Sequence, residues 1–181
     1  MRPKNSSGCA TCDCKRQRQL RAALRVRRCL PARRLGTFDA ASERYLRTLQ
    51  PKAQREARAF LRRLLHGGIS ARIVSGTRTY AEQNALYRKG RYGDPSPIVT
   101  RARGGHSNHN FGIAWDIGIF QNGKYLKSSP LYVRAAALGK TRSIEWGGDW
   151  TSFVDKPHYQ LATGVSLAAV RSSFEEGRAF V

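Results

Sequence analysis

Apolar residues at helical spacing open the chain beyond residue 34. Leu46, Leu49, Ala53, Ala57, Phe60, Leu61, Leu64 and Leu65 recur at three- or four-residue intervals between Ala40 and His66, and Gly67-Gly68 supplies a stop. Pro51 has no amide to donate inside a helix, so the stretch predicts two helices rather than one. The period then shortens. Ile69–Ser75, centred on Ile73 and Val74, predicts a short strand. Thr79-Tyr-Ala-Glu82 is a capping box and predicts a helix running to about Lys89, with Arg78 at the strand-to-helix turn.

Gly, Pro and charge fill Arg91–Gly105, which predicts a loop. Ile113–Phe120 reads as a strand that turns at Asn122-Gly123 and returns along Lys124–Leu126. Ser129-Pro130 caps and starts a helix to about Leu138. A strand near Ser143–Trp146, a loop over Gly147–Pro157, a strand at His158–Leu161 and a last helix from about Ser166 to Glu176 complete the pattern. No segment repeats.

At 181 residues and 40% hydrophobic, the chain has the material for one domain core. Charge divides it. Lys and Arg number 33 against 12 acids, a net +21, which predicts attraction to polyanions such as nucleic acid, anionic lipid or cell wall. Residues 1–34 hold eleven of the bases and a single acid, Asp13, and are read as a separate arm preceding a domain at 35–181.

Cys9, Cys12, Cys14 and Cys29 all lie in that arm, so the body depends on no disulfide. Their Cys-x2-Cys-x-Cys spacing lacks the paired knuckles of a ribbon zinc site, and the arm reads as a largely disordered basic tail, with metal binding left open. No segment approaches the ~20 apolar residues of a membrane span, and the start has no apolar core of roughly 7–15 residues for a secretory signal. The expectation is a monomer made soluble in the cytoplasm, reaching any outside target through another factor.

Chemistry concentrates in two segments, Ser107-Asn-His-Asn-Phe-Gly-Ile-Ala-Trp-Asp116 and Asp155-Lys-Pro-His158. His109, Asp116 and His158 supply three ligands of the kind zinc takes, and Asp155 is a spare carboxylate. Hydrolytic zinc sites keep three protein ligands and leave a fourth position open, whereas structural sites are closed by four. On residue type alone His106 rivals His109. Asp116 could equally be a salt-bridge partner, and Asp155 a turn residue.

Ser75-Gly-Thr-Arg78-Thr-Tyr-Ala-Glu-Gln83, Ser107-x-His109-x2-Gly112-x-Ala114-x-Asp116 and Glu145-Trp-Gly-Gly-Asp-Trp150 followed by Asp155-x2-His158 occur in this order. Together they resemble the VanY/VanX-type zinc peptidases of peptidoglycan, above all the L-alanyl-D-glutamate endopeptidases of phage endolysins and bacterial wall hydrolases. The likeness spans roughly Leu35 to Leu161. It implies a small single-domain α+β fold, an antiparallel sheet flanked by helices with zinc (Zn2+) in a cleft on the sheet.

The resemblance selects His109 over His106 and assigns zinc to His109, Asp116 and His158. It implies Asp155 as general base, Arg78 as the cation that stabilises charge on the scissile carbonyl, and Ser107, Trp146 and Trp150 as substrate-binding or cleft-wall residues. The implied partners are peptidoglycan stem peptides, with anionic wall polymers held by the basic surface and no specific nucleic acid. D-Ala-D-Ala carboxypeptidase action is the alternative within the class. Outside it stand a zinc-binding module without hydrolysis and a basic nucleic-acid-binding protein; against the latter, the arm carries no aromatic side chain to stack on bases.

Overall fold

The computed structural model describes residues 38–181, so the arm 1–34, its four cysteines and the 34/35 boundary lie outside the described residues. The two predicted N-terminal helices are α1, Ala40–Thr48, and α2, Pro51–His66. Leu49 and Gln50 are extended between them, and Pro51 opens α2 where a missing amide costs nothing. Strand β1, Ala71–Ser75, leads into α3, Tyr80–Arg88. There the capping box forms in full: Thr79 Oγ1 accepts from Glu82 N–H, and the Glu82 carboxylate accepts from Thr79 N–H at 2.7 Å.

After a long loop, β2 (Ala114–Gln121) turns at Asn122 and Gly123, both at positive φ, into β3 (Lys124–Leu126). This is the geometry that matches the twist of a two-residue hairpin. Helix α4 (Leu131–Gly139), β4 (Ile144–Trp146), β5 (His158–Leu161) and α5 (Leu167–Glu175) follow. All pairings are antiparallel, in the order β1-β2-β5-β4, with β3 paired to the far half of β2. Every predicted element is present within a few residues of its expected ends. Two short 3-10 turns are added, Gly147–Asp149 inside a segment read as loop and Asn108–Phe111 in a stretch given no element. They follow tertiary contacts rather than apolar period.

Side-chain alternation divides the sheet into two faces. Trp115, Ile117 and Ile119 of β2 and Tyr159 and Leu161 of β5 are buried in the core. Phe60 of α2 meets two of them, its ring centroid 4.4 Å from Tyr159 and 6.2 Å from Trp115. Asp116, His158 and Gln160 occupy the intervening positions and line a cleft on the opposite face. The core thus supports the strands from one side and leaves the other free for chemistry. No helix among the described residues is long and apolar enough to cross a membrane.

Gly139 lets α4 close on α2, since a Cβ there would sit 2.1 Å from the Phe60 ring. A methyl group at 139 must displace that ring from its packed position. Gly139→Ala is expected to destabilise the fold by about 1–3 kcal/mol. A urea melt would show this as a lower midpoint at unchanged slope.

Candidate metal centre and cleft

Strand register places the acid between its partners. Asp116 lies directly opposite His158 of β5 on one side and Ser75 of β1 on the other. The second pairing follows an irregularity between Ile73 and Ser75, where one extra residue bends β1 beside the site. His109 arrives from the 3-10 turn Asn108–Phe111. Ser107 caps this turn by accepting from His109 N–H, and Gly112 ends it at φ 70°, a conformation that favours glycine.

The three side chains converge. His109 Nε2 lies 3.1 Å from Asp116 Oδ1 and 3.2 Å from His158 Nδ1, and His158 Nδ1 lies 3.1 Å from the same Oδ1. The far ring nitrogens fix the tautomers. His109 Nδ1–H donates to Gly76 O at 2.7 Å, and His158 Nε2–H donates to Gln160 Oε1 at 3.0 Å. In neutral rings the two facing nitrogens then both carry lone pairs, aimed at each other and at a carboxylate oxygen. Such a triangle is repulsive unless a cation occupies it. Tetrahedral zinc with bonds of about 2.1 Å sets its donors about 3.4 Å apart. Geometry and donor type therefore both fit a zinc ion held by three protein ligands.

Electrostatics point the same way. Burial alone would raise the Asp116 pKa, but the two imidazoles outweigh it and hold the carboxyl well below the usual range. Burial likewise opposes the charged form of His158. The hydrogen bond and charge of Asp116, helped by Gln160 and Asp155, overcome it and raise the imidazole above its ordinary value. The cluster therefore calls for positive charge at its centre, either a proton or a metal ion.

The other predicted residues surround this triangle. Arg78 Nη2 donates to Asp116 Oδ2 at 2.5 Å and to Ser75 Oγ at 2.7 Å, while Nη1 donates to the buried Gln83 at 3.3 Å. It grips the carboxylate oxygen turned away from the imidazoles, and it also borders the cleft. Asp155 lines the same cleft, and no described residue donates a hydrogen bond to its carboxylate. Burial, followed by the negative charge of Asp116, raises its pKa. The loop bearing it is held by Asp155 N–H donating to Gly147 O. Gly147 has no room for a side chain there, because a Cβ would meet Asp155 O at 2.5 Å.

Trp150 lies against His158, with centroids 4.9 Å apart, and lines the cleft with Ser107. Trp146 does not, which corrects its expected place on the cleft wall. Alternation along β4 turns Ile144 and Trp146 into the core and Glu145 outward, and Trp146 Nε1–H anchors the Asp155 loop through Lys156 O at 2.7 Å. His106 is exposed beside Arg171 and stands outside the three-donor cluster. Arg101 crosses from the 91–105 loop to Ser152 O at 3.1 Å, joining two loops that border the cleft of about 550 Å³.

Sequence reasoning missed Asn108 and Gln160. Asn108 Nδ2–H donates to Gln160 Oε1 at 2.8 Å, and Gln160 Nε2–H donates to Glu145 Oε2 at 2.7 Å. The signal was available on β5, because residues 158 and 160 must share a face of the strand. For Asn108 no periodic signal exists.

The chain belongs to the D-alanyl-D-alanine carboxypeptidase family of peptidoglycan metallopeptidases, whose profile matches residues 100–161, the stretch holding His109, Asp116, Asp155 and His158. Over 128 residues it is 34% identical to the peptidoglycan L-alanyl-D-glutamate endopeptidase CwlK of Bacillus subtilis (strain 168), covering 62% of this chain and 73% of CwlK. The crystal structure of the L-Ala D-Glu endopeptidase ChiX of Serratia marcescens matches with a TM-score of 0.53 at 26% identity, covering 75% of this chain and 96% of ChiX.

Metal uptake should depend on pH in a defined direction. The raised His158 pKa stabilises the metal-free fold fully below the unfolded value and loses that contribution as pH rises through the folded one. The lowered Asp116 pKa acts above its unfolded value and is lost in acid. The metal-free protein should therefore be most stable in weak acid, and zinc affinity should grow as pH rises and the competing proton leaves. Melting curves of chelator-treated protein and calorimetric zinc titrations across pH test both trends. His109→Ala should abolish tight binding and His106→Ala should retain it; the reverse pattern would overturn the ligand assignment.

Proposed function

We propose that this peptidoglycan peptidase is zinc-dependent and cuts the L-Ala–D-Glu bond of the stem peptide. The convergence of His109 Nε2, Asp116 Oδ1 and His158 Nδ1 on one point beside a free carboxylate carries the reading. Its choice of bond is supported by likeness to two endopeptidases, CwlK and ChiX. Zinc at these residues would supply a Lewis acid that polarises the scissile carbonyl and makes water acidic enough to ionise near neutral pH.

The chain's own groups do the rest. Asp155, which lines the cleft beside the three donors, takes the proton of the attacking water and delivers it to the leaving amine of D-Glu. Arg78 holds Asp116 with Oδ1 facing the imidazoles, and its charge at the cleft edge favours the growing negative charge on the carbonyl oxygen. Trp150 walls the cleft beside His158, and Ser107 secures the turn carrying His109. The excess of 33 bases over 12 acids draws the protein to anionic wall polymers by long-range attraction that salt weakens.

Digestion of purified peptidoglycan by zinc-loaded protein, read by mass spectrometry, tests the bond. Fragments newly ending in L-Ala and beginning with D-Glu are expected. Release of a terminal D-Ala would instead make the protein a carboxypeptidase, and no cleavage despite bound zinc would reduce it to a binding module. Asp155→Ala should lower kcat about 10²- to 10⁴-fold while zinc stays bound. A variant with full activity would remove Asp155 from the mechanism.

Deleting residues 1–34, which carry eleven Lys or Arg, should slow digestion of intact walls far more than hydrolysis of a soluble muropeptide. Assaying both substrates at low and high salt distinguishes targeting from catalysis. Equal losses on the two would count against the arm as a wall anchor.

A further inference from the structure

Gln160 joins β5 and its register partner on β4 to the turn that carries His109. Its Oε1 accepts from His158 Nε2–H at 3.0 Å and from Asn108 Nδ2–H at 2.8 Å, and its Nε2–H donates to Glu145 Oε2 at 2.7 Å. The last contact sets the orientation of the amide. A carboxylate only accepts, so the NH2 end must face Glu145 and the oxygen must face His158. Glu145 is opposite Gln160 in the β4–β5 register, which keeps it in place on the sheet's outer face.

We infer that Gln160, oriented by Glu145, is the positioning residue that sets the tautomer of His158 and couples it to the turn carrying His109. A Gln160 oxygen facing Nε2 requires the ring proton there and leaves the Nδ1 lone pair in the three-donor triangle. The same oxygen holds Asn108, the residue before His109, so one acceptor fixes the approach of both imidazoles. Partners of this kind orient metal-binding histidines and raise their basicity, and their loss typically weakens metal binding about 10- to 100-fold. The inference rests on the zinc reading above.

The alternative is that Gln160 only strengthens the β4–β5 edge. Two variants test whether an acceptor at 160 is sufficient and whether it is needed. In Glu145→Gln combined with Gln160→Glu, a carboxylate at 160 still accepts from His158 and Asn108, and an amide at 145 now donates to it. Gln160→Leu keeps a side chain of similar bulk and removes the acceptor.

Zinc affinity of the full chain, measured by competition with a chromophoric chelator, is the readout, with melting curves to confirm folding. Gln160→Leu should bind about 10- to 100-fold more weakly, and the double swap should return to within about threefold of wild type. Wild-type affinity in Gln160→Leu, or a double swap as weak as Gln160→Leu, would overturn the inference while leaving the zinc reading intact. A wild-type protein that binds no zinc would overturn both.

Discussion

The carboxylate of Asp116 is the contact on which the site depends. One oxygen faces both imidazoles and the other is gripped by Arg78, so a single side chain on β2 links β5, the turn at 108–111 and the segment that follows β1. Its position is set by backbone register, since Ser75, Asp116 and His158 lie abreast on three neighbouring strands. A slip of one residue in β2 would send Asp116 into the Phe60 core and bring Trp115 out. Packing of Trp115, Ile117 and Ile119 therefore specifies the chemistry on the opposite face.

The same division explains what surrounds the triangle. Elements with strong apolar faces, α2 and α4, lie behind the sheet, where Gly139 allows the Phe60 ring its place. In front, short turns and loops bring polar groups to the strands. Gly147 lets the Asp155 loop return close to the end of β4, and Trp146 secures it from the core side through Lys156 O. Core and cleft thus share residues of the Glu-Trp-Gly-Gly-Asp-Trp run without sharing side-chain directions.

Much of this was legible in the sequence because the informative signals were local. Helical period, the Thr79–Glu82 box and Asn122-Gly123 each fix geometry within a few residues. Residue type supplied the candidate donors, and the family resemblance chose His109 over His106. What failed was direction. The resemblance implied Trp146 as a cleft-wall residue, whereas its strand position between Glu145 and the turn sends it into the core. Asn108 and Gln160 were missed because amide side chains acquire meaning from partners, and those partners lie 52 and 15 residues away in sequence.

Charge finally ties Asp155 to the three-donor cluster. Burial, with repulsion from the nearby Asp116, keeps the Asp155 pKa raised. Arg78 does not cancel it, because its guanidinium is committed to Asp116, Ser75 and Gln83. A dication held by the three donors would reverse the local sign and lower the Asp155 pKa. Asp155 would then be a better-ionised acceptor with the three donors occupied. The spare carboxylate would thereby be coupled to occupancy of the three donors through space.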